Sequence, residues 1–216
     1  MFLQLILSRN KAIAGFPKTR WYHFCVSRAG YVLVGGKSSR MGRDKALLPA
    51  PGGGTLGQYV ARMVRRASGS AVLVGNPQRY AAPGYPAIPD LYPGEGPLGG
   101  ILTALKHTSA DWNLLTACDM PGLTESFLSR LLDAAEQSPA EALLPVGPAG
   151  RLEPLCGVYR KSALPALEAA FAAGVRQLSA AARRVPGLRM VPFEVSEVSI
   201  FQNVNTPEEW AAHGAD

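Results

Sequence analysis

The stretch Leu33-Val34-Gly35-Gly36-Lys37-Ser38-Ser39-Arg40-Met41-Gly42-Arg43-Asp44-Lys45-Ala46-Leu47-Leu48-Pro49 sets how the rest of the chain is read. The short apolar run Tyr31–Val34 breaks off at two glycines, the pattern of a buried strand ending in a turn. Gly35 and Gly36 carry no side chain, so their backbone can approach an anion closely and aim N–H groups at it. Lys37, Arg40, Arg43 and Lys45 place four cations within nine positions, opposed only by Asp44. That suits a triphosphate, whose charge must be neutralised on binding and again as the leaving group departs. Composition alone leaves an ordinary solvated turn as an equal alternative. A P-loop is rejected. It needs a glycine five positions before the Gly36-Lys37 pair, where Tyr31 stands, and Val32, Leu33 and Val34 read as strand.

Working outward, apolar runs alternate with helical patterns. Strands are predicted at Tyr31–Val34, Ala71–Val74, Ala87–Pro89, Trp112–Ala117, Ala142–Val146, Leu155–Arg160, Leu188–Val191 and Val198–Phe201. Helices are predicted at Thr55–Ala67, Leu98–His107, Thr124–Gln137, Ser162–Ala173 and Gln177–Arg184, with a last short one opening at Pro207 behind a Thr206 cap. Leu56, Tyr59, Val60, Met63 and Val64 share one helical face, and Thr124 is a plausible N-cap. Strand–helix alternation implies an α/β fold, a mostly parallel sheet with helices on both faces. In such sheets ligands bind outside the carboxyl ends of the strands.

The length of 216 residues fits one domain with a core large enough to stand without disulfides or metals. Apolar residues at 47% and charged ones at 18% exclude a disordered chain, and no apolar run approaches the roughly 18 residues that cross a bilayer. Cys25, Cys118 and Cys156 form no CxxC pair, which argues against a disulfide framework or thiolate zinc site and for a reducing compartment. The net charge of +6 is local. Five bases (Arg9, Lys11, Lys18, Arg20 and Arg28) and no acid fall in residues 1–28, leaving 17 bases against 16 acids in the rest. The body therefore lacks the basic balance of a nucleic-acid binder. Residues 1–28 are read as a poorly ordered basic extension, such as arises from an upstream start, and 29–216 as one domain. The segment is not a secretory signal, because its apolar stretch precedes the charges, and its low serine content sets it apart from a transit peptide. Docking of Trp21, Tyr22 and Phe24 on the body stays open.

Asp119 follows a strand directly, so its carboxylate is placed at the ligand crevice, where a hard oxygen suits Mg²⁺. The bland reading is a helix N-cap, weakened by Pro121 and the gap to Thr124. Cys118 reads as a small buried strand-end residue, since no histidine lies nearby in sequence to activate it. Asp90 ends the third strand, where the residues alone read as a turn aspartate before Tyr92-Pro93-Gly94. Asn203 and Asn205 lie before a helix, with phosphate-orienting and capping roles both open. Arg151, with Glu153 and Pro154, precedes a strand, and Arg176 sits between two helices. Both could grip a phosphate, with solvated surface the favoured reading. Gly94-Glu95-Gly96-Pro97-Leu98-Gly99 matches G-x-G-x-x-G, and Asp119 follows twenty residues after Gly99, but the dinucleotide fingerprint starts after a first strand and this one does not.

The Gly-Gly, Arg-Met-Gly and Asp-Lys loop over residues 35–45 resembles the signature of nucleotidyltransferases, above all the molybdenum cofactor guanylyltransferases, the MobA family. Three more stretches agree in the family's order: Gly96-Pro97-Leu98-Gly99-Gly100-Ile101, Cys118-Asp119-Met120-Pro121, and Phe201-Gln202-Asn203-Val204-Asn205-Thr206-Pro207-Glu208. Together they span residues 31–208. The resemblance implies a Rossmann-like three-layer sandwich of the nucleotide-diphospho-sugar transferase type. It implies a cytoplasmic enzyme that transfers GMP from GTP to molybdenum-bound molybdopterin and releases pyrophosphate. Asp119 would bind Mg²⁺ and nucleotide, Lys45 would act at the α/β phosphates and Arg40 on the departing pyrophosphate. Leu33, Val34, Gly35, Gly36 and Asp90 would complete the nucleotide contacts. Val34 stands where the family usually has alanine. Gly75 aligns with a base-contacting asparagine of some members, and either Asn76 beside it or a backbone contact is the candidate replacement. Implied partners are GTP, molybdopterin and molybdenum-insertion or cofactor-delivery proteins, with no nucleic acid and no membrane. Rival readings are a related transferase using CTP or a sugar-phosphate acceptor, a non-catalytic nucleotide-binding adaptor and, more distantly, an NAD(P)-binding oxidoreductase.

Overall fold

The computed structural model describes residues 27–35, 44–50, 53–147 and 150–202. Residues 1–26, the middle of the glycine-rich loop (36–43) and the expected helix at Pro207 lie outside the described residues. Seven strands form one sheet: β1 (Arg28–Leu33), β2 (Val72–Val74), β3 (Ala87–Ile88), β4 (Trp112–Ala117), β5 (Ala142–Val146), β6 (Cys156–Arg160) and β7 (Leu188–Pro192). Their order is β3-β2-β1-β4-β6-β5-β7. β6 runs antiparallel to both its neighbours, so the other six point the same way. The α/β expectation holds, with a single reversed strand.

The helices divide between the two faces. α1 (Leu56–Ser68) and α4 (Glu125–Glu136) cover one, through Leu56, Val60, Val64, Leu128 and Leu132 packed on Val32 and Leu114. α3 (Pro97–His107), α5 (Leu164–Ala172) and α6 (Leu178–Ala182) cover the other, through Leu98, Ile101, Leu105, Leu167 and Ala181 packed on Tyr31 and Leu115. β4 is buried along its whole length, which is why it reads as an unbroken apolar run instead of an alternation. Thr55 opens α1 with a full capping box to Gln58, and Thr124 caps α4 as the sequence suggests.

Three expectations change. A short helix, α2 (Pro77–Tyr80), follows β2 where the sequence reading placed no helix; Asn76 caps it and Pro77 occupies its first turn. Val198–Phe201 is not a strand but part of a 3₁₀ turn, Val195–Phe201. Its buried residues Ile200 and Phe201 are adjacent, which a strand's alternation cannot bury on one face. Phe201 stacks on Phe193 with ring centroids 4.1 Å apart, and Glu194 and Glu197 form a capping box. The sheet also begins earlier than the boundary at residue 29. The Trp112 N–H donates to the Ser27 carbonyl at 3.1 Å. Arg28 forks onto Glu136 at 2.5 and 2.7 Å and reaches Asp133 at 2.9 Å, both on α4. These bonds hold the Arg28 guanidinium more firmly charged than usual, the one to Glu136 first. Arg28→Ala should lower stability by about 1 kcal/mol, the scale of a partly exposed bidentate pair, read as a lower urea midpoint at unchanged slope. A midpoint equal to wild type would place Arg28 outside the folded body.

Candidate active site

The chain runs from β1 outward to β2 and β3, then crosses back through α3 to β4 on the far side of β1. A crevice therefore opens between the carboxyl ends of β1 and β4, where the strand order switches. Leu33 and Ala117 are in register there, and the Cys118 N–H donates to the Leu33 carbonyl at 3.2 Å. The segments leaving these two strands bring Lys45 and Asp119 together. Lys45 Nζ lies 3.4 Å from Asp119 Oδ2, with side chains 18% and 23% exposed. The pair is sheltered but still reachable from solvent.

Lys45 is placed by what surrounds it in sequence. It starts a 3₁₀ turn, Lys45–Leu47, whose Ala46 is 1% exposed and packed beneath α1. The Leu56 N–H donates to the Leu48 carbonyl at 2.8 Å, which ties the turn to the start of α1. Asp44 caps the turn, its Oδ1 accepting from the Ala46 N–H at 3.1 Å. Its other oxygen accepts from the Tyr80 hydroxyl at 2.5 Å and pairs with Arg79 Nε at 3.0 Å. Sequence reasoning saw Asp44 only as the acid opposing four bases and did not see Arg79 or Tyr80. The signal was Asn76-Pro77, a cap and first-turn proline, which starts a helix that turns Tyr80 inward.

Gly35 has φ +122°, a backbone region that side-chain-bearing residues rarely adopt, and it is exposed. Its main chain is therefore presented to the crevice. Val34 is 2% exposed and packs toward Gly57 of α1, so its extra volume over alanine enters the core and it can offer a ligand only backbone. Leu33 leans the other way, onto Gly100 of α3. Gly75 is fixed by contact: a Cβ there would lie 2.2 Å from the Val34 carbonyl oxygen and 2.9 Å from the Tyr80 ring. Asn76 is exposed, but its Oδ1 is taken by the Gln78 N–H at 2.9 Å, which leaves its NH₂ group for other partners.

The remaining candidates fall around this centre. Asp90 Oδ1 accepts from the Tyr92 N–H at 2.9 Å and meets the Thr103 hydroxyl at 3.0 Å, so the turn reading is realised by one oxygen. Arg176 pairs with Glu95 and lies 4.0 Å over the Phe171 ring, and Arg151, 71% exposed, pairs with the buried Glu153 at 2.8 Å. Each acceptor-side arginine thus has its own acid in this structure. Gly94–Gly99 follows the edge strand β3, not β1, and so lacks the context of a dinucleotide fingerprint. Gly36, Lys37, Arg40, Arg43, Asn203 and Asn205 lie outside the described residues. The segment leading to the two asparagines reaches the site: a Cβ on Gly122, three residues past Asp119, would stand 2.7 Å from the Ser199 carbonyl oxygen. Burial pushes the Cys118 thiol up to about 12, and the Asp119 and Asp44 carboxylates add to the shift. Such a thiol is no nucleophile.

A family model described as MobA-like NTP transferase domain matches residues 30–185. A probable molybdenum cofactor guanylyltransferase of Deinococcus radiodurans is 37% identical over 183 residues, covering 83% of this chain and 90% of that protein. A protein of the same description from Carboxydothermus hydrogenoformans is 33% identical over 185 residues, covering 83% of this chain and 91% of that one. The crystal structure of molybdopterin-guanine dinucleotide biosynthesis protein A from Archaeoglobus fulgidus is similar with a TM-score of 0.70 at 28% identity, over 85% of this chain and 95% of that chain.

Two measurements check the site's construction. A thiol near 12 leaves roughly one thiolate in 10⁴ at pH 8, so iodoacetamide should leave Cys118 unmodified in the native protein yet alkylate it in urea, as read by peptide mass spectrometry. Rapid native alkylation would mean an activated thiol. Gly75→Ala should cost about 1–3 kcal/mol in chemical denaturation, because backbone on one side and a buried ring on the other cannot yield. An unchanged stability would show that the ends of β1 and β2 are not in contact.

Proposed function

This chain belongs to the MobA-like NTP transferase family and is a nucleotidyltransferase, and we propose that it transfers GMP from GTP to the terminal phosphate of molybdenum-bound molybdopterin, releasing pyrophosphate. The observation that carries the proposal is the approach of Lys45 Nζ to Asp119 Oδ2, 3.4 Å across the switch point of the sheet. A lysine beside a strand-end carboxylate supplies the two groups that a nucleoside triphosphate with its metal requires.

The residues present fit Mg²⁺. Asp119 is a partly exposed carboxylate, and no cluster of three or more His, Cys, Asp or Glu forms a cage among the described residues. One carboxylate plus phosphate oxygens and water is a usual Mg²⁺ donor set. Asp119 would hold the ion, and Mg²⁺ when bound there supplies charge neutralisation at the phosphate oxygens. The rest is the protein's own work. The Gly35 and Gly36 amides would hold the phosphates, with Leu33, Val34, Gly75, Asn76 and Asp90 toward the base and ribose. Lys45 would stabilise charge at the α/β phosphates and Arg40 on the leaving pyrophosphate. The attacking phosphate is already anionic near neutral pH, so no general base is needed, and positioning supplies most of the rate. Asn203, Asn205, Arg151 and Arg176 are the groups proposed for the acceptor's side. Partner proteins for molybdenum insertion or cofactor delivery, and a cytoplasmic site of action, belong to the same reading. Among the described residues no helix is long and apolar enough to cross a membrane.

The test is acceptor-dependent pyrophosphate release with molybdopterin and Mg²⁺ across GTP, CTP, ATP and UTP. GTP should be strongly preferred; preference for CTP, or activity only with a sugar phosphate, would move the chain to the rival transferases. Nucleotide binding with no release would make it an adaptor. Asp119→Ala should lower the GTP reaction at least about 100-fold, the cost of removing a group that acts on transition-state charge. Lys45→Ala should lose far more than Lys37→Ala, and equal losses would put the key cation elsewhere in the loop.

A further inference from the structure

The segments that leave the carboxyl ends of β1 and β2 meet around one buried ring. Tyr80 is 9% exposed, and its ring stands beside Gly75 at the end of β2. Its hydroxyl lies 3.8 Å from where a Cβ of Gly35 would be, at the end of β1. The same hydroxyl donates to Asp44, the residue before Lys45. The contacts thus run from Tyr80 to Asp44, through the main chain to Lys45, and across to Asp119 at 3.4 Å.

Asp44 needs both of its oxygens. Oδ1 accepts the Ala46 N–H that starts the turn, and Oδ2 takes Tyr80 and Arg79. A carboxylate can serve both sides, whereas an amide has one carbonyl oxygen and would turn its NH₂ toward either the Ala46 N–H or Arg79. The charge matters as well. An uncompensated carboxylate beside Lys45 would compete with Asp119 for the ammonium and repel a triphosphate. Arg79 offsets that charge, and the Tyr80 hydroxyl donates to the oxygen that carries it. Burial, and after it the bond to Asp44, raise the Tyr80 phenol above its usual value, so it stays a proton donor at working pH.

We propose that Tyr80, with Arg79, is a positioning residue for the transferase reaction: acting through Asp44, it fixes the turn that aims Lys45 at the phosphates and partners the Asp44 charge. This rests on the nucleotidyltransferase reading given above. Tyr80 carries the larger share, because Arg79 is 52% exposed and its pair is weakened by solvent.

Tyr80→Phe keeps the buried ring and removes only the hydroxyl. It should lower kcat for pyrophosphate release about tenfold or more, with KM for GTP changed less than about threefold, as expected when a transition-state group is misaimed. Asp44→Asn should lose a similar factor, and the double variant should be no slower than the slower single one, because both remove one unit. Arg79→Ala should cost about threefold or less. Thermal melts of each variant separate a general loss of stability from this pattern. Hydrogen exchange gives a readout that does not depend on activity: Tyr80→Phe should speed exchange at residues 44–48 and leave β4 and α3 unchanged. A kcat within twofold of wild type, additive losses in the double variant, or unchanged exchange at 44–48 overturns the proposal. If wild type releases no pyrophosphate with any nucleotide and acceptor, the transferase reading fails; exchange at 44–48 then decides alone whether Tyr80 holds the turn.

Discussion

Everything at the crest of the sheet depends on holding one ammonium next to one carboxylate across the gap between β1 and β4. The attraction itself cannot do the holding. With both side chains about one-fifth exposed, an ion pair at 3.4 Å is screened, and pairs of this kind contribute about 1 kcal/mol or less. That is too little to order a loop whose residues each lose about 1–2 kcal/mol of backbone entropy. The position of Lys45 is set by packing and hydrogen bonds around it: Ala46 sunk under α1, Leu48 bonded to Leu56, and Asp44 capping the turn. The charge pair is then a consequence of packing, and partial exposure leaves it open to exchange partners when a ligand arrives.

The same crest explains the reversed strand. β6 antiparallel beside β4 places residues 150–155, which lead into it, at the edge that carries the ends of β1 and β4. The Ala117 N–H donates to the Leu155 carbonyl at 2.9 Å, two residues from Asp119. The 3₁₀ turn at 195–201 reaches the same place through Gly122. One side of the crevice, toward β2 and β3, is closed by tight glycine contacts and the Tyr80 ring. The other is built from longer segments with polar side chains.

Much of this was legible in the sequence, for identifiable reasons. The β1 loop, β4 and the acid after it follow from local patterns: an apolar run that stops at paired glycines, and a strand buried on both faces ending at a carboxylate. α1 and α4 declared themselves through Thr caps and apolar periodicity. The failures have physical causes as well. α2 is four residues long, too short for periodicity to register. Val198–Phe201 has strand-like composition, but it lies in a 3₁₀ turn that packs the adjacent Ile200 and Phe201 into one core. Arg28 looked like part of a basic leader because its partners, Asp133 and Glu136, are more than one hundred residues away. Asp44 was counted as a charge, and its geometry became readable only once Tyr80 was in place.

Gly75 shows why a missing side chain need not mean a missing function. A side chain there is excluded by the Val34 carbonyl at 2.2 Å, so the ends of β1 and β2 must approach more closely than an asparagine would allow. The close approach brings the Tyr80 ring against both strand ends, and the ring puts its hydroxyl on Asp44. Asn76, one position on, is committed through its oxygen to capping the helix that carries Tyr80. The residue that could have touched a ligand has given way to a contact that fixes the loop opposite. The main chain at these two strand ends is thereby held close, with the exposed Asn76 NH₂ beside it.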